Sequence, residues 1–480
     1  MPLLYLHPHH IIKRDGETLL YNPDSMVILR VDELAERLLS ISGPIDDADI
    51  TELAGQWGIA PDPLQEALTE LVNHGVFRSA PVMPKPHPND AIDRPLPRYL
   101  PGLWIMIAQD CNLRCQYCSA GHGTFGTGQR RLIDRATVKR AIDYVFENLN
   151  PDQVTPLDFA FMGGEPLMNF PVLGWAVEYV RSEANRAGVQ VRLNMNTNGT
   201  LMTEQTAHFF VANGVHVTFS IDGQPAVHNA GRPYERGLPS YSDVIRGLEH
   251  YRRASQHQQL RTQSVLINPA DLESSIMHLY ELGTRVFIAN RAFNSVFLDN
   301  DYSFSAELQD TYFEQFRRLN DFFLTRLLAG EEAGFVFILR YIKALHGRQV
   351  APPGCGAGRM LAINTDGEFY ACQSLMNDTD CQCGSLSDGV DWERREEFFR
   401  RMIRFTSKCM KCWGRYLCGG ACIAAAINDD ELELELCSSR CGLYQRYMDE
   451  AIWMYYRVRK ENPSLFDGPL GRTQDRKMAR

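Results

Sequence analysis

Three cysteines fall within eight residues, Cys111-Asn-Leu-Arg-Cys115-Gln-Tyr-Cys118, shortly after an apolar run from Leu103 to Ala108. Three thiolates can hold three irons of a four-iron cluster and leave the fourth iron open to a small molecule. Zinc is the competing reading, but zinc sites favour paired C-x2-C spacing and four ligands. The fold must therefore present one loop, set at the end of a strand, that gathers three sulfurs.

The chain carries thirteen cysteines, and ten of them lie between Cys355 and Cys441. Where they reside decides what they do. The N-terminus, Met1-Pro-Leu-Leu-Tyr-Leu-His-Pro-His-His, lacks the basic start and apolar core of a secretion signal. No run approaches the roughly 20 apolar residues of a membrane helix. A cytoplasmic protein with no membrane partner is expected, and in that reducing compartment the cysteines argue for metal ligation rather than disulfides. A net charge of −10 argues against a nucleic-acid partner.

Periodicity divides the chain. In residues 1–80, Thr18 to Leu20 and Met26 to Arg30 flank the turn-rich Tyr21-Asn-Pro-Asp-Ser25, predicting a β-hairpin. Helical patterns follow over Val31 to Ile41, Asp49 to Trp57 and Pro63 to His74. In the last, Leu64, Ala67, Leu68, Leu71 and Val72 share one face, with Asp62 as N-cap and Gly75 as stop. Residues 81–101 are a proline-rich, semi-extended linker. From 102 to 300, strand patterns (Leu103–Ala108, Leu157–Met162, Val189–Met195, Val215–Ile221, Gln263–Ile267, Val286–Ile288) alternate with helices near 134–149, 171–187, 203–213, 241–254 and 271–282. Such alternation builds a parallel sheet, with its chemistry at the C-terminal strand ends. Residues 301–350 read as an amphipathic helical bridge, 351–450 as a cysteine-rich domain, and 451–480 as a helix end and polar tail.

The C-x3-C-x2-C spacing, with an aromatic before the last cysteine, resembles the signature of radical S-adenosylmethionine (SAM) enzymes. The resemblance implies a partial (β/α)6, TIM-like barrel, and a cluster whose open iron chelates SAM and cleaves it to a 5′-deoxyadenosyl radical. Cys111, Cys115 and Cys118 are then the catalytic cluster ligands. Other motifs lie where that family keeps its SAM contacts. Gly163-Gly164-Glu165-Pro166 ends the second strand, its glycines allowing close ligand approach and Glu165 accepting from the SAM ammonium. Asn198, in Asn196-Thr197-Asn198-Gly199-Thr200, lies near the ribose. Ser220-Ile221-Asp222-Gly223, His228-Asn229 and Arg232 resemble the S-x-D-G, H-D and R stretch of peptide-modifying members. Asn229 departs from the usual aspartate. Ser220 and Arg232 are thereby candidates for the ribose or carboxylate, and His228 reads as a loop brace. The glycine-rich 119–128 stretch resembles the loop of thioether-forming maturases.

The second cysteine field resembles the SPASM domain, which carries two auxiliary four-iron clusters. Leu361 to Ala371 reads as a hairpin with an Asp366-Gly367 turn that brings Cys355 and Cys372 together. The resemblance gives Cys409, Cys412, Cys418 and Cys441 to the outer cluster and Cys355, Cys372 and Cys422 to the inner one. Cys381, Cys383, Cys437 or a substrate thiolate remain open as its fourth ligand, and zinc remains the alternative for the field. Three [4Fe–4S] clusters and SAM are implied in all. The hairpin-plus-helices front resembles the winged-helix peptide-recognition domains that bind a leader peptide as an added strand. Sulfatase-maturing relatives carry a basic aspartate directly after the hairpin cysteine; Gln373 stands there, which argues against that activity. The set is most similar to the maturases of quinohemoprotein amine dehydrogenase. It implies thioether links between cysteine sulfur and Asp or Glu side-chain carbons of the dehydrogenase small subunit, with a flavodoxin- or ferredoxin-type electron donor. Another peptide-modifying member, or a non-catalytic iron–sulfur peptide scaffold, is the alternative.

Overall fold

The computed structural model describes residues 3–81, 98–150, 156–256, 260–292, 305–350, 359–403, 412–419, 424, 438–468 and 470. The first unit runs β1 (Tyr5–Leu6), β2 (His10–Arg14), β3 (Glu17–Asn22), β4 (Val27–Val31), α1 (Glu33–Leu39), α2 (Asp47–Trp57), α3 (Pro61–Asn73) and β5 (Phe77–Arg78). β1 pairs with β5, and β2-β3-β4 form an antiparallel sheet. Strand alternation assigns the two faces of β3. Leu20 packs into the helices' core with Leu38, Leu64 and Leu68. Leu19 and Tyr21 face the opposite way, into the core of the remaining chain. The expected hairpin is β3–β4, and β2 is an additional strand. Asp62 does not cap α3: Ala60 holds the N-cap position and Pro61 begins the helix, where its missing N–H costs nothing. Most of the proline-rich stretch, residues 82–97, lies outside the described residues.

The second unit runs β6 (Gly102–Gln109), β7 (Arg131–Leu132), α4 (Arg135–Glu147), β8 (Leu157–Gly163), α5 (Phe170–Ala187), β9 (Val191–Thr197), α6 (Glu204–Ala212), β10 (Val215–Ser220), α7 (Pro225–Gly231), α8 (Tyr241–Ala254), β11 (Leu260–Leu266), α9 (Leu272–Glu281) and β12 (Thr284–Arg291). Strands β6, β8, β9, β10, β11 and β12 are neighbours in that order and parallel throughout. Alternate residues of β8 (Leu157, Phe159, Phe161) are buried and pack in one core with Val138 and Ile142 of α4 and Leu173 and Val177 of α5.

Then come α10 (Ala306–Leu328), β13 (Gly334–Phe335), α11 (Val336–Gly347), β14 (Leu361–Ile363), β15 (Glu368–Tyr370), β16 (Gln382–Ser385), β17 (Gly389–Val390), α12 (Trp392–Ile403), α13 (Arg415–Cys418) and α14 (Ser438–Glu461). The 301–350 segment does more than bridge, because β13 pairs in parallel with β12 and lengthens the sheet. At the opposite edge β14 pairs in parallel with β6, and β15, β16 and β17 continue antiparallel from it. The edge of β6, which would otherwise offer unpaired backbone groups, is thereby covered. α14 packs on α10 and α11 and crosses the expected boundary at residue 450 without interruption. No helix among the described residues is long and apolar enough to cross a membrane.

Candidate active site at the strand ends

Four motifs meet because four neighbouring parallel strands end beside one another. The cysteine loop follows β6, Gly163 closes β8, Thr197 closes β9 and Ser220 closes β10. Backbone pairing continues past the strands: Gly164 N donates to Ala108 O at 2.8 Å and Glu165 N to Asp110 O at 2.8 Å. The glycines are required by the fold itself. A Cβ on Gly163, whose φ is +148°, would sit 2.2 Å from Ala108 O, and one on Gly164 would sit 2.2 Å from Asp110 O. Gly163 admits the backbone of β6 and Gly164 that of the cysteine loop, close approaches that a side chain at either position would block.

Glu165 is wholly buried. Its carboxylate accepts from Leu167 N (3.0 Å), Thr197 Oγ1 (2.7 Å) and Asn198 N (2.7 Å), tying the ends of β8 and β9 together. Burial pushes its pKa up to about 7, and those three donors hold it from rising further. An acid raised in the folded state binds more protons than the unfolded chain, so this group's contribution to stability falls as pH rises from about 4.5 to about 7. Urea unfolding of the metal-free protein across that window is expected to show the decline, and Glu165→Gln to flatten it relative to wild type. An identical pH slope in both would show the carboxylate is not the titrating group.

Donors point at the sulfurs. Leu113 N lies 3.4 Å from Cys111 Sγ, Asn198 Nδ2 lies 3.8 Å from the same sulfur, and His122 N lies 3.2 Å from Cys118 Sγ. Asn198 also donates to Asn112 Oδ1 at 2.8 Å. Burial pushes the Cys115 thiol up to about 12 and the Cys111 thiol higher still, with their neighbouring cysteines adding to the rise at both. Thiols so placed ionise only when a cation compensates them, and N–H donors of this kind tune iron–sulfur clusters. This donor set fits a cluster held by Cys111, Cys115 and Cys118.

The segment after β10 backs the loop. Gln116 N donates to Gly231 O (3.0 Å), Arg114 N to Pro233 O (2.7 Å), and Leu113 bridges to Tyr234. Arg232 is engaged by protein groups: its Nε donates to Asp222 Oδ1 at 3.0 Å and its guanidinium lies 5.3 Å from the Tyr117 ring centroid. His228 is the brace expected, taking a hydrogen bond from Asp222 N (3.4 Å) at Nδ1, with Nε2 3.1 Å from Ser240 Oγ. Burial depresses its pKa to about 3. Asn229 Oδ1 accepts from Ser240 N (3.0 Å) and Tyr241 N (2.9 Å) at the start of α8, a task that needs only a side-chain carbonyl. Asp222 and Tyr117 were missed as partners; their only sequence signal was their place inside the motifs.

Of the second cysteine field, Cys355, Cys409, Cys422 and Cys437 lie outside the described residues. Cys372, Cys381 and Cys383 are buried around β15 and β16, where Ala371 N donates to Cys381 O at 2.8 Å. Cys412 precedes α13 and Cys418 is its last residue, and Gln445, one helical turn after Cys441 on α14, donates to Cys412 Sγ at 3.6 Å. The described thiols thus form one group on the hairpin sheet and another against α14. Among the described residues no three His, Cys, Asp or Glu side chains are placed to hold a single metal ion. Several links join the hairpin and the segment after it to the first site, among them Thr365 N to Gln109 Oε1 (2.9 Å), Arg131 Nη1 to Asp366 Oδ1 (2.6 Å) and Asn377 Nδ2 to Phe125 O (2.9 Å).

Residues 105–281, the segment that carries this geometry, match the Radical SAM superfamily. The chain is a radical SAM enzyme. A cysteine-type anaerobic sulfatase-maturating enzyme of Clostridium perfringens is 22% identical over 373 residues, spanning 73% of this chain and 97% of that one. In fold the chain is similar to the structure of native anSMEcpe with bound AdoMet (TM-score 0.64, 21% identity, 75% and 99% of the two chains). It is also similar to Streptococcus suis SuiB bound to its precursor peptide SuiA (TM-score 0.50, 14% identity, 91% and 98%). This radical SAM enzyme accordingly uses a [4Fe–4S] cluster and SAM, and its relatives modify protein or peptide substrates.

Proposed function

We propose that this radical SAM enzyme is a peptide maturase of the SPASM type that forms thioether links between cysteine sulfur and carbons beside Asp or Glu carboxylates. The substrate we assign is the small subunit of quinohemoprotein amine dehydrogenase. The observation that carries the reading is the seat of the Cys372 hairpin on the free edge of β6, linked to the loops around the first three cysteines. An auxiliary cluster held on this hairpin would give an oxidative coupling somewhere to send its surplus electron.

When bound, the first cluster and SAM supply the radical that removes a hydrogen atom from an unactivated carbon. The protein's own residues do the rest. Cys111, Cys115 and Cys118 would hold the cluster, Gly163, Gly164 and Glu165 fix the strand ends beside it, and Asn198 and Ser220 are the residues we assign to SAM. Cys372 with Cys355 and Cys422, and Cys412, Cys418 and Cys441 with Cys409, would hold two auxiliary clusters. Forming a C–S bond from C–H and S–H releases one hydrogen atom to the radical, one proton and one electron, for which an auxiliary cluster would be the acceptor. Fixing radical, carbon and sulfur in one geometry supplies the selectivity. Gln373 leaves a buried Oε1 with no partner among the described residues, which suits a substrate other than a sulfatase.

The first unit suits a peptide partner. The outer edge of β4 pairs with no strand among the described residues, and it walls a cleft with α3 lined by Leu29, Val31, Ala67 and Leu71 and rimmed by Glu66 and Glu70. An extended leader segment can add there as a strand. The likeness to SuiB favours another ribosomally made peptide as the second substrate reading.

Intact mass of the amine dehydrogenase small subunit after low-oxygen co-expression tests the assignment. The expected result is a loss of two hydrogens per link with matching loss of alkylatable thiols. An unchanged mass alongside continuing deoxyadenosine production would move the substrate to another peptide.

A further inference from the structure

Arg232 stands where the motif points to SAM, yet its surroundings describe a different task. It is buried, as is Asp222. Asp222 takes three donors: Arg232 Nε at 3.0 Å, Val265 N at 2.9 Å, and the Tyr117 hydroxyl. Tyr117 lies between Cys115 and Cys118, and its ring carries the Arg232 guanidinium. The backbone on both sides of Arg232 pairs with the cysteine loop, through Gly231 O and Pro233 O. Gly231 packs so close to this group that a Cβ there would lie 2.9 Å from Asp222 Oδ2 and 3.0 Å from the Tyr117 ring.

We propose that Arg232 is a positioning residue for the cluster loop: paired to Asp222 and laid on the Tyr117 ring, it fixes the Cys115–Cys118 half of the loop and sets a buried positive charge beside it. This rests on the reading of Cys111, Cys115 and Cys118 as cluster ligands. The geometry favours it over a SAM contact on two grounds. A buried ion pair whose acid accepts two further hydrogen bonds commits Arg232 Nε to Asp222, and breaking one is costly. The guanidinium also lies 5.3 Å from the centroid of the Tyr117 ring, which stands between Cys115 and Cys118. A cation beside a cluster stabilises its reduced, more negative state, so Arg232 raises the cluster's potential toward what a protein donor can reach.

The test uses the fully reconstituted, full-length protein and follows the electron paramagnetic resonance signal that changes on adding SAM, which singles out the cluster with the open iron. Arg232→Met is expected to move that cluster to a more negative midpoint potential and to lower its iron occupancy. Should the unpaired Asp222 prevent folding, the Asp222→Asn/Arg232→Met double variant removes both charges and is expected to show the same direction of shift. Arg232→Lys keeps the charge but not the fork or the ring contact, so it holds the potential near wild type while altering the line shape. SAM affinity of the loaded protein stays unchanged throughout. Arg232→Lys with wild-type potential and line shape but lost SAM binding would overturn the proposal and make Arg232 a direct ligand. Absence of any SAM-responsive signal in the wild type would instead refute the cysteine assignment beneath it.

Discussion

Alanine at Cys111, Cys115 and Cys118 together is expected to abolish conversion of SAM to 5′-deoxyadenosine completely, while the protein still folds. The loss is total because no other described cysteine lies at these strand ends: Cys372, Cys381 and Cys383 sit on the hairpin sheet, and Cys412, Cys418 and Cys441 against α14. Folding survives because the loop's backbone is held by groups other than the sulfurs. Glu165 N on Asp110 O, Gln116 N on Gly231 O and Arg114 N on Pro233 O all remain. Each lost sulfur removes a weak acceptor and a little buried volume, about 1 kcal/mol apiece at most. Liquid chromatography of deoxyadenosine, with urea unfolding as the control, reads both arms. Retained deoxyadenosine in a folded triple variant would remove the foundation of the functional reading.

The fold was legible where burial imposes a period. α8 occupies the span its pattern predicts, because Val244, Leu248 and Tyr251 had to recur along one face to reach the core. The six parallel strands announced themselves as apolar runs between those helices, although the last two, read as Gln263–Ile267 and Val286–Ile288, run Leu260–Leu266 and Thr284–Arg291. What escaped the sequence is pairing at a distance. β13 is two residues long, and nothing in Gly334-Phe335 says that it completes a sheet with β12. β14 reads as one arm of a local hairpin, yet its other edge belongs to β6, some 250 residues away. β2 was hidden because His10-Ile-Ile-Lys-Arg14 lies in a histidine-rich start with one short apolar pair.

The site shows the same division. Cysteine spacing is a local property and was readable, as were the glycines and acids that follow each strand. Their partners are set by the sheet order. Glu165 reaches Thr197 and Asn198 because β8 and β9 are neighbours. Arg232 reaches Tyr117 because a bridge between Leu113 and Tyr234 draws the two loops together. A motif therefore names the residues at a site but not the contacts that occupy them, and Arg232 is where the two diverge.

Gly164→Ala is expected to cost roughly 3 kcal/mol or more of stability and to deprive the first site of its iron. The added methyl would lie 2.2 Å from Asp110 O, 2.5 Å from Asp110 C and 2.9 Å from Cys111 Cβ. Two of these atoms are backbone, so no side chain can swing aside to relieve the clash. The strand end of β8 must part from the loop, and Gly164 N to Ala108 O and Glu165 N to Asp110 O are the bonds that stretch. Cys111 then moves away from Asn198 and from the other two sulfurs, so the damage reaches the iron as well as the fold. Gly55→Ala is the control. It sits in α2 with open space where the methyl would go, and alanine in a helix interior is favoured over glycine by about 1 kcal/mol. Urea midpoints and iron content of the two variants separate the accounts. A Gly164→Ala protein with wild-type iron and stability would mean that the loop approaches β8 less closely than the packing of Asp110 requires.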